Sequence, residues 1–397
     1  MITWVQRKLG GLAEFSKGNG YSKSDLTPTG TPIILYGRLY TKYETVIDDF
    51  DTFAEMKDKS VISSGGEVIV PSSGETAEDI SRASVVGKAG IILGGDLNIV
   101  KPRPEIHPAF LAITISNGNQ QKELSKRAQG KSVVHINNSD LKDVTLQLPT
   151  LLEQAAIGNF FNILDTTITR HKRKLELLKG LKKAYLQQMF PQGDKLVPNI
   201  RFGGFVDVWN EKQLKYIFIK GGSGGTPTST NKDFYDGNIP FLSISDITNS
   251  NGIVTKTEKS ITELGLSNSS AWIVPKGAIC LAMYASIGKF AILNIDVATS
   301  QAFYNMVFEN EIIRDFMFHT FSLYQETNLY TTLISTGTQA NLNADKIRNI
   351  MVLLPNDEEQ KLICAFFNSL NSKIRYQQTQ LGKLKQLKQA YLQKMFV

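Results

Sequence analysis

The residue types that most often carry metal or nucleophilic chemistry are scarce in this chain. Its 397 residues include 4 histidines and 2 cysteines. The histidines are spread along the sequence at His107, His135, His171 and His319. This spacing is not that of a metal site. Cys280 and Cys364 form neither a zinc pattern nor a disulfide framework. We therefore expect no metal or cofactor bound by this chain itself.

Complete phosphate-binding and catalytic motifs are also absent from the sequence. In GGSGGTPTST (221–230), Pro227 occupies the place of the third glycine of a dinucleotide fingerprint. Gly87–Lys88 and Gly288–Lys289 lack the upstream glycine and the Ser/Thr of a phosphate loop. No Asn/Asp-Pro-Pro-aromatic motif, which holds a base amino group for methylation, occurs. The sequence nominates no catalytic residue and predicts a protein that is not an enzyme.

Clustered carboxylates at Asp48, Asp49 and Asp51 could in principle share acid–base work. They lie in an acidic stretch without a partner motif, which is more typical of a solvated surface. Composition supports a globular protein, with 42% hydrophobic and 20% charged residues. No stretch is long and apolar enough to span a membrane, and MITWVQRKLGG lacks a signal peptide's apolar core. A cytoplasmic location is expected.

The net charge of +7 is unevenly distributed. Residues 1–149 carry 17 basic and 17 acidic side chains, and residues 191–355 carry 13 and 14. Segments 150–190 and 356–397 each carry 7 basic and 3 acidic residues, an excess of 4 + 4 = 8 positive charges. This excess fits either nucleic acid as a partner or lysine-rich, solvated helices.

Those two basic segments are copies of each other. Residues 149–190 align without a gap to 355–396 at an offset of 206, with 20 of 42 positions identical. Each copy follows a proline, Pro149 or Pro355, and contains no other. This arrangement predicts two long helices, each about 58 Å long at 1.5 Å per residue.

Apolar residues in both copies recur at alternating steps of four and three, the period of a coiled coil. The predicted seam is Ile157, Phe161, Leu164, Ile168, Leu175 and Leu178 in the first copy, and Ile363, Phe367, Leu370, Ile374, Leu381 and Leu384 in the second. Lys182 and Lys388 interrupt it at equivalent positions, where Leu181 and Leu387 are expected to cover the gap. His171 and Gln377 occupy equivalent positions in the two seams. They form either a buried pair that sets the register of the helices or a solvent-exposed interruption of the seam.

Two such helices separated by folded chain are expected to pair with each other in antiparallel fashion. Oligomerisation through the helices is the alternative. The segments around them, 1–148 and 191–354, each open with Trp, five residues and Leu (Trp4 and Leu9, Trp209 and Leu214).

Beyond that opening the two segments diverge, but both contain short β-rich runs between Gly-, Ser- and Asn-rich turns. Examples of these runs are IILYGRLY (33–40), GEVIVP (66–71), GIILGGDLNIV (90–100), IPFLSI (239–244), AWIVPKGAICLAMY (271–284), KFAIL (289–293) and YNMVF (304–308). An amphipathic stretch at 311–330 predicts a helix. In each segment one β run ends at a Gly-bearing tip and returns as a second run. We therefore predict two mainly β domains with divergent loops, which is where recognition usually lies.

These features together resemble the specificity subunits of type I restriction–modification systems. The resemblance covers nearly the whole chain. It rests on the twice-occurring pattern EQxxIxxFF…AYLQ.MF, on RFGGFVDVWNEKQLKYIF, on GGTPTSTNKDFYDGNIPFLSISDI (224–247) and on GTQANLNADKIRNIMVLLP (337–355). GEVIVPSSGETAEDI and GGDLNIV in the first domain fit as well. In contrast, KLVPNIRFGGFVDVW before the second domain has almost no counterpart before Trp4.

The resemblance implies an α+β protein with two mainly β target-recognition domains, separated by two long helices that form an antiparallel coiled coil. It implies target-recognition domain 1 at 1–148, a central spacer helix at 149–190, target-recognition domain 2 with its entry linker at 191–354, and a C-terminal spacer helix at 355–397. Each domain would read half of a bipartite DNA site in double-stranded DNA. Two methyltransferase subunits using S-adenosylmethionine would bind, and restriction/translocase subunits using ATP and Mg could join.

Reading DNA requires hydrogen-bonding side chains on loops, flanked by phosphate-binding Lys and Arg. The candidates are Arg38, Lys88, Lys101 and Arg103 in the first domain, and Thr228, Ser229, Asn231, Lys232, Tyr284, Ser286 and Lys289 in the second. Tyr284, Ser286 and Lys289 are expected together at a hairpin tip. The alternative function is a non-catalytic scaffold whose two heads bind proteins.

Overall fold

The structure is a computed structural model that describes residues 4–130, 133–284, 286–330 and 342–396. Its contacts divide the chain into two compact units. The first comprises Met1–Arg173 with Thr379–Val397, and the second comprises Lys174–Gln378. Each unit therefore combines one of the two segments that differ in sequence with parts of both long helices. We call these segments head 1 (4–148) and head 2 (191–354).

Head 1 contains fourteen strands among its described residues. They are β1 (Val5–Lys8), β2 (Ala13–Lys17), β3 (Leu26–Thr27), β4 (Thr31–Ile34), β5 (Val46–Ile47), β6 (Phe53–Ala54), β7 (Ile62–Ser64), β8 (Val68–Pro71), β9 (Ser73–Gly74), β10 (Ser84–Val86), β11 (Ala89–Leu93), β12 (Leu97–Pro102), β13 (Val134–His135) and β14 (Thr145–Leu148). Its helices are α1 (Arg38–Thr41), α2 (Ala77–Ile80), α3 (Pro108–Ile115), α4 (Gly118–Arg127) and α5 (Asn138–Lys142), with 3-10 turns at Leu9–Gly11 and Lys23–Asp25.

The first long helix, α6, runs from Leu151 to Met189. Head 2 follows with strands β15 (Asn210–Gln213), β16 (Lys220–Ser223), β17 (Tyr235–Leu242), β18 (Ile253–Val254), β19 (Lys259–Ile261), β20 (Ile273–Val274), β21 (Ile279–Ala282), β22 (Phe290–Leu293), β23 (Val297–Thr299), β24 (Phe303–Val307) and β25 (Met351–Leu354). Its helices are α7 (Ile244–Asn249), α8 (Glu263–Ser267), α9 (Glu311–Glu326) and α10 (Ala344–Arg348), with 3-10 turns at Leu214–Tyr216 and Lys232–Phe234. The second long helix, α11, spans Asp357–Met395.

The two heads have the same sheet topology despite their different sequences. The main sheet of head 1 has the order β2-β12-β8-β10-β5, and that of head 2 has the order β16-β24-β21-β22-β18. In both, the last strand is parallel to its neighbour and the other pairs are antiparallel. A second sheet has four strands in common, with order β3-β6-β4-β11-β7 in head 1, where β3 is an additional edge strand, and β19-β17-β23-β20 in head 2.

The central strands of the main sheets are apolar on both faces. All four residues of β8 and all four of β21 are buried. Strands covered on both sides read as continuous β-branched and aliphatic runs, not as alternating ones. This explains why the sequence showed short apolar runs such as GEVIVP and GAICLA.

A two-stranded ribbon closes each head next to its helix. β1 pairs with β14 in antiparallel fashion, and β15 pairs with β25 in the same way. Each ribbon joins the start of a head to the strand that precedes a long helix. The paired strands lie more than 130 residues apart in the sequence, so the match between Trp4 and Trp209 did not by itself reveal this pairing.

The long helices start in the same way in both units. Thr150 Oγ1 accepts a hydrogen bond from the Glu153 amide at 3.3 Å, and Asn356 Oδ1 accepts one from the Glu359 amide at 3.0 Å. The side chains of Gln154 and Gln360 each donate to the carbonyl of the preceding proline, at 3.1 and 2.9 Å. The first pair of contacts satisfies amides that a helix start leaves unpaired, and the second pair satisfies the proline carbonyls that precede the helices.

The helices are antiparallel within each unit. In the first unit Phe160 meets Tyr391 edge-on at 5.1 Å, and Phe161 lies 6.2 Å from Phe396. In the second unit the equivalent contacts are Tyr185 with Phe366 at 4.9 Å and Phe190 with Phe367 at 6.0 Å. The predicted fold class, two mainly β domains with an antiparallel pair of long helices, is confirmed.

Some local predictions were confirmed only in part. The run IILYGRLY is a strand only at its start, because α1 begins at Arg38. GIILGGDLNIV contributes two strands to two different sheets, β11 and β12. The helix predicted over 311–330 ends at Glu326. Helix α3, buried at every position except Pro108, was not foreseen, since PAFLAITI is apolar apart from Thr114 and shows no helical period.

Candidate nucleic-acid interface

Strand directions determine which loops leave the same edge of each main sheet. β16 and β21 are both antiparallel to β24, so their C-terminal ends lie at one edge. The loops that follow them, 224–234 and 283–289, therefore leave from that edge. We call it the loop edge of head 2. All seven predicted DNA-binding residues of this head lie on these two loops.

The hairpin tip between β21 and β22 presents two exposed polar residues. Tyr284 is 45% exposed. Ser286 is exposed and has a φ of 59°, a left-handed conformation that an L-residue adopts only in tight turns. Lys289 is half-buried, and its Nζ donates to Thr248 Oγ1 at 3.3 Å. The structure places Tyr284, Ser286 and Lys289 on one turn, with Ala285 between them outside the described residues.

Gly288 shapes this tip. Its φ is +80°, and a Cβ added there would lie 2.4 Å from the Tyr330 ring. Only glycine allows both the backbone conformation and the close approach. The Gly-bearing tip recognised in the sequence is therefore required by packing, which holds the exposed Tyr284 and Ser286 in a fixed turn.

The loop after β16 carries the other candidates. Thr228, Ser229 and Lys232 are exposed. Asn231 is half-buried, and its Oδ1 accepts a hydrogen bond from the Asp233 amide at 3.1 Å, which caps a 3-10 turn. Asn231 thus has a structural role, whereas its three neighbours present hydroxyl and ammonium groups to the exterior of the unit.

Three head 1 candidates lie at the opposite edge of the equivalent sheet. Lys88 follows β10, and Lys101 and Arg103 are at the end of β12. Both strands are antiparallel to β8, the counterpart of β21. Lys88, Lys101 and Arg103 are exposed, and Arg103 Nη1 donates to the Gly11 carbonyl at 3.3 Å.

Arg38 requires a correction. Its side chain is 8% exposed and forms ion pairs with Glu44 at 2.7 Å and Asp51 at 2.8 Å. It also donates to the Asp49 carbonyl at 2.6 Å. The guanidinium is already neutralised inside the protein, so Arg38 orders the acidic loop and does not offer a charge to DNA. Asp51, expected as a solvated carboxylate, is one of its partners.

Head 1 has a counterpart of the Asn231–Lys232 turn that the sequence did not reveal. The loop after β2 forms a 3-10 turn at Lys23–Asp25, capped reciprocally by Ser22 and Asp25. Ser22 and Lys23 are exposed and lie at the loop edge of head 1, since β2 and β8 are parallel to each other through β12. The sequence feature that could have revealed this turn is a small polar residue followed by Lys after a Gly-rich loop. It reads GNGYSK in head 1 and GGTPTSTNK in head 2.

The predicted helix seam lies away from solvent. Ile157, Phe161, Leu164, Ile168, Leu175, Ile363, Phe367 and Leu370 are buried, and Leu178, Ile374, Leu381 and Leu384 are half-buried. At the polar position of the seam, Gln377 is buried and His171 is half-buried. Gln377 is therefore not the solvent-exposed interruption of the seam that was one of the two interpretations.

The lysines that interrupt the seam are placed inward in both units. Lys388 Nζ pairs with Asp165, which also accepts a hydrogen bond from Thr45 Oγ1 at 2.6 Å. In the second unit, burial lowers the pKa of Lys182. The equivalent of Asp165 there is Asn371. Leu181 and Leu387, expected to cover these positions, are instead both 45% exposed.

Neither cysteine is poised for chemistry. Cys280 and Cys364 are buried, and burial raises the pKa of the Cys364 thiol to about 12 and that of Cys280 further. Within the described ranges, His, Cys, Asp and Glu side chains form no cluster that could hold a metal ion. None of the helices in that part of the chain is long and apolar enough to cross a membrane. The motif GTQANLNADKIRNIMVLLP begins at 337–341, outside the described residues.

Comparison with known proteins agrees with the duplicated architecture. The family described as "Type I restriction modification DNA specificity domain" matches residues 1–179 and 207–386. The chain belongs to this family.

Curated relatives include two specificity subunits of type I restriction enzymes from Methanocaldococcus jannaschii. The MjaIX subunit is 27% identical over 180 residues, which is 44% of this chain and 41% of that protein. The chain thus spans less than half of that relative. The MjaVIII subunit is 22% identical over 349 residues, 85% of this chain and 79% of that protein.

A solved structure supports the fold. The S subunit of a type I restriction–modification system from M. genitalium superimposes with a TM-score of 0.69 at 17% identity, over 100% of this chain and 96% of that one. At this level of identity the likeness concerns the architecture.

Proposed function

We propose that this chain is the DNA-specificity subunit of a type I restriction–modification complex and reads a bipartite target, one half-site per head. The observation that carries the proposal is the duplication itself. Two heads keep one sheet topology and differ in sequence, including in their loops. A shared scaffold with divergent loops suits two readers of two different short sequences.

In this proposal recognition takes place at the loop edge of each head. Head 2 offers Thr228, Ser229 and Lys232 on one loop and Tyr284 and Ser286 on the other, all exposed. Hydroxyls and amides can read base edges, and lysines can bind the flanking phosphates. Head 1 offers Ser22 and Lys23 at the equivalent place. Lys88, Lys101 and Arg103, at the opposite edge, remain a second candidate surface.

The chain contributes no chemistry of its own in this proposal. Methyl transfer would come from two methyltransferase subunits that bind S-adenosylmethionine. A restriction subunit that uses ATP and Mg could complete the complex. The non-catalytic role is proposed from family membership. It also agrees with the two buried cysteines and with histidines that are dispersed along the sequence.

A repeated apolar surface supports two identical partners. Phe160, Leu387 and Tyr391 in the first unit correspond to Phe366, Leu181 and Tyr185 in the second, with the same residue types. The leucines are 45% exposed in both units. In the second unit Tyr185 and Phe366 are half-buried against the core, so the group also contributes to packing. Because the same partly exposed apolar group recurs in both units, we propose it as the docking surface of the two methyltransferase subunits.

A head exchange tests the proposed function. Head 1, residues 4–148, is replaced by head 1 of another specificity subunit, and the complex is expressed with its methyltransferase. Methylome sequencing should show that one half of the methylated sequence changes and the other half is retained. Change in both halves, or methylation without any sequence preference, would contradict independent reading. A chain that binds its partners without any DNA preference would favour the scaffold function.

A further inference from the structure

The middle of α6 carries a basic group that neither the heads nor the seam uses. Arg170, Lys172 and Arg173 lie in the part of α6 that belongs to the first unit, and all three are exposed. Within the described part of the chain, no carboxylate is in salt-bridge distance of any of them, although four other helix lysines, including Lys179 and Lys388, are paired. These three charges therefore face solvent without internal neutralisation.

Helix geometry places the two arginines on the face opposite the seam. At about 100° per residue, Arg170 and Arg173 are about 60° apart, whereas Lys172 is about 160° from Arg170. Like charges three residues apart on a helix repel each other and destabilise it. The pair therefore opposes helix stability.

The second helix shows that charge at these three positions is not needed for folding, although it carries basic residues of its own nearby, Lys373 and Arg375. The residues of α11 equivalent to Arg170, Lys172 and Arg173 are Tyr376, Gln378 and Thr379, all neutral. Residues 169–174 form a run in which the two copies share no identity, between the identical positions 168 and 175. Both copies are helical through this region.

We propose that Arg170 and Arg173 bind phosphates of the DNA between the two half-sites. The inference rests on the proposed function. Head 1 has 17 basic and 17 acidic residues within 1–149, so it offers little net charge to a polyanion, and the excess lies on the helices. Arginine presents planar paired donors that match phosphate oxygens. Phosphate contacts fix position without reading sequence, which suits the helix that joins two reading heads in the chain.

The test uses variants that copy one helix repeat into the other. The double variant Arg170→Tyr with Arg173→Thr gives α6 the residues of α11. The matched control, Lys172→Gln with Lys394→Gln, removes the same net charge from exposed positions and also copies the other repeat, since residue 188 is Gln. Each chain is purified with its methyltransferase subunit. Its affinity for a duplex that contains the target sequence, as identified by methylome sequencing, is then measured from low to high salt.

The arginine variant should lower the slope of log affinity against log salt by about 1 to 2, since each phosphate contact contributes about 0.9. Preference for the target over a shuffled duplex should be retained, and the control should change the slope less than half as much. Neutral methylphosphonates placed between the half-sites should lower the parent's slope but not lower the variant's further.

Three results would overturn the inference. Equal slopes for the arginine variant and its control would show that only net charge matters. Loss of methyltransferase binding with an unchanged DNA slope would assign the arginines to an acidic protein partner. Absence of target preference in the parent itself would reject the proposed function, and this inference with it, whereas the first two results leave the proposed function intact.

Discussion

The two units of this chain share a framework and differ in how they bury charge. Four aromatic residues occupy equivalent positions: Trp4, Phe110, Phe161 and Phe396 in the first unit, and Trp209, Phe316, Phe367 and Phe190 in the second. Charged positions are different. In the first unit the half-buried Lys388 pairs with Asp165, whereas the second unit has Asn371 at the equivalent of Asp165.

The second unit has its own ionic contact at the helix start. Glu359 is fully buried, and Arg201 donates to both of its oxygens at 2.7 Å. Glu153, its copy in the first unit, is half-buried, and no described side chain forms an ion pair with it. Aromatic packing is thus the retained part of the duplicated framework, while each unit satisfies its polar groups separately.

The largest expected effect is on the Arg201–Glu359 pair. Arg201→Met leaves a buried carboxylate without its partner and should lower the free energy of unfolding of the second unit by about 3 to 5 kcal/mol. Glu153→Gln in the first unit should change stability by less than about 0.5 kcal/mol. Urea unfolding followed by Trp209 and Trp272 fluorescence, in a background with Trp4→Phe, measures the second unit.

The double variant Arg201→Met with Glu359→Met is the control for this pair. It should recover much of the loss, because apolar residues of similar size replace a buried ion pair at little cost. Equal destabilisation by Arg201→Met and Glu153→Gln would mean that the bidentate contact contributes no more to stability than the half-buried Glu153 does.

His319 is expected to give the second unit a larger acid sensitivity than the first, where burial also lowers the pKa of the half-buried His107. His319 is fully buried on α9, and Ile113 is its counterpart in the first unit. Its Nε2 donates to Asn368 Oδ1 at 3.1 Å, and burial lowers the pKa of His319 to about 3. Below pH 6.5 the unfolded chain therefore takes up a proton that the folded chain does not.

This linkage should lower the free energy of unfolding of the second unit as the pH falls, by up to about 1.4 kcal/mol per pH unit. The free energy of unfolding of the parent should fall by about 2 kcal/mol more than that of His319→Ile between pH 6.5 and 4.5, as measured by urea unfolding at each pH. Parallel pH profiles of the two proteins would show that folding does not lower the pKa of His319. Asn368→Ala serves as a control for loss of the hydrogen bond alone.

The helical part of the fold was predictable because its information is local. Pro149 and Pro355, the 3.5-residue period and the internal repeat determined the two helices within a few residues. Strand existence was also readable from apolar runs. Strand order was not, because β1 pairs with β14 across more than 130 residues and no local pattern encodes that choice.

The candidate site was less predictable, because exposure depends on partners far away in the sequence or on loop conformation. Arg38 resembles a surface arginine in the sequence, but in the structure it forms ion pairs with Glu44 and Asp51. Lys88 and Lys232 looked alike in sequence, yet strand direction puts them at opposite edges of equivalent sheets. Only the comparison of the two heads identified Lys23 as the counterpart of Lys232.

The smallest expected effects separate the two candidate edges. Lys23→Ala and Lys232→Ala should each weaken binding to the target duplex by roughly three- to tenfold and lower the salt slope by about 1, as for loss of one phosphate contact. Lys88→Ala and Lys101→Ala remove the same charge from the opposite edge of head 1 and should leave the slope within error of the parent. All four lysines are exposed or on exposed loops, so none of these changes should affect folding.

Matched measurements on the four variants with the methyltransferase complex decide the question. If Lys88→Ala or Lys101→Ala lowers the slope and Lys23→Ala does not, head 1 binds DNA through the edge opposite to the one we propose. If Lys232→Ala behaves as proposed and Lys23→Ala has no effect, the two heads share a topology but not a binding mode. Equivalent losses at Lys23 and Lys232 would show that the duplicated scaffold presents DNA contacts from the same edge twice, with sequence preference left to the neighbouring hydroxyl and amide groups.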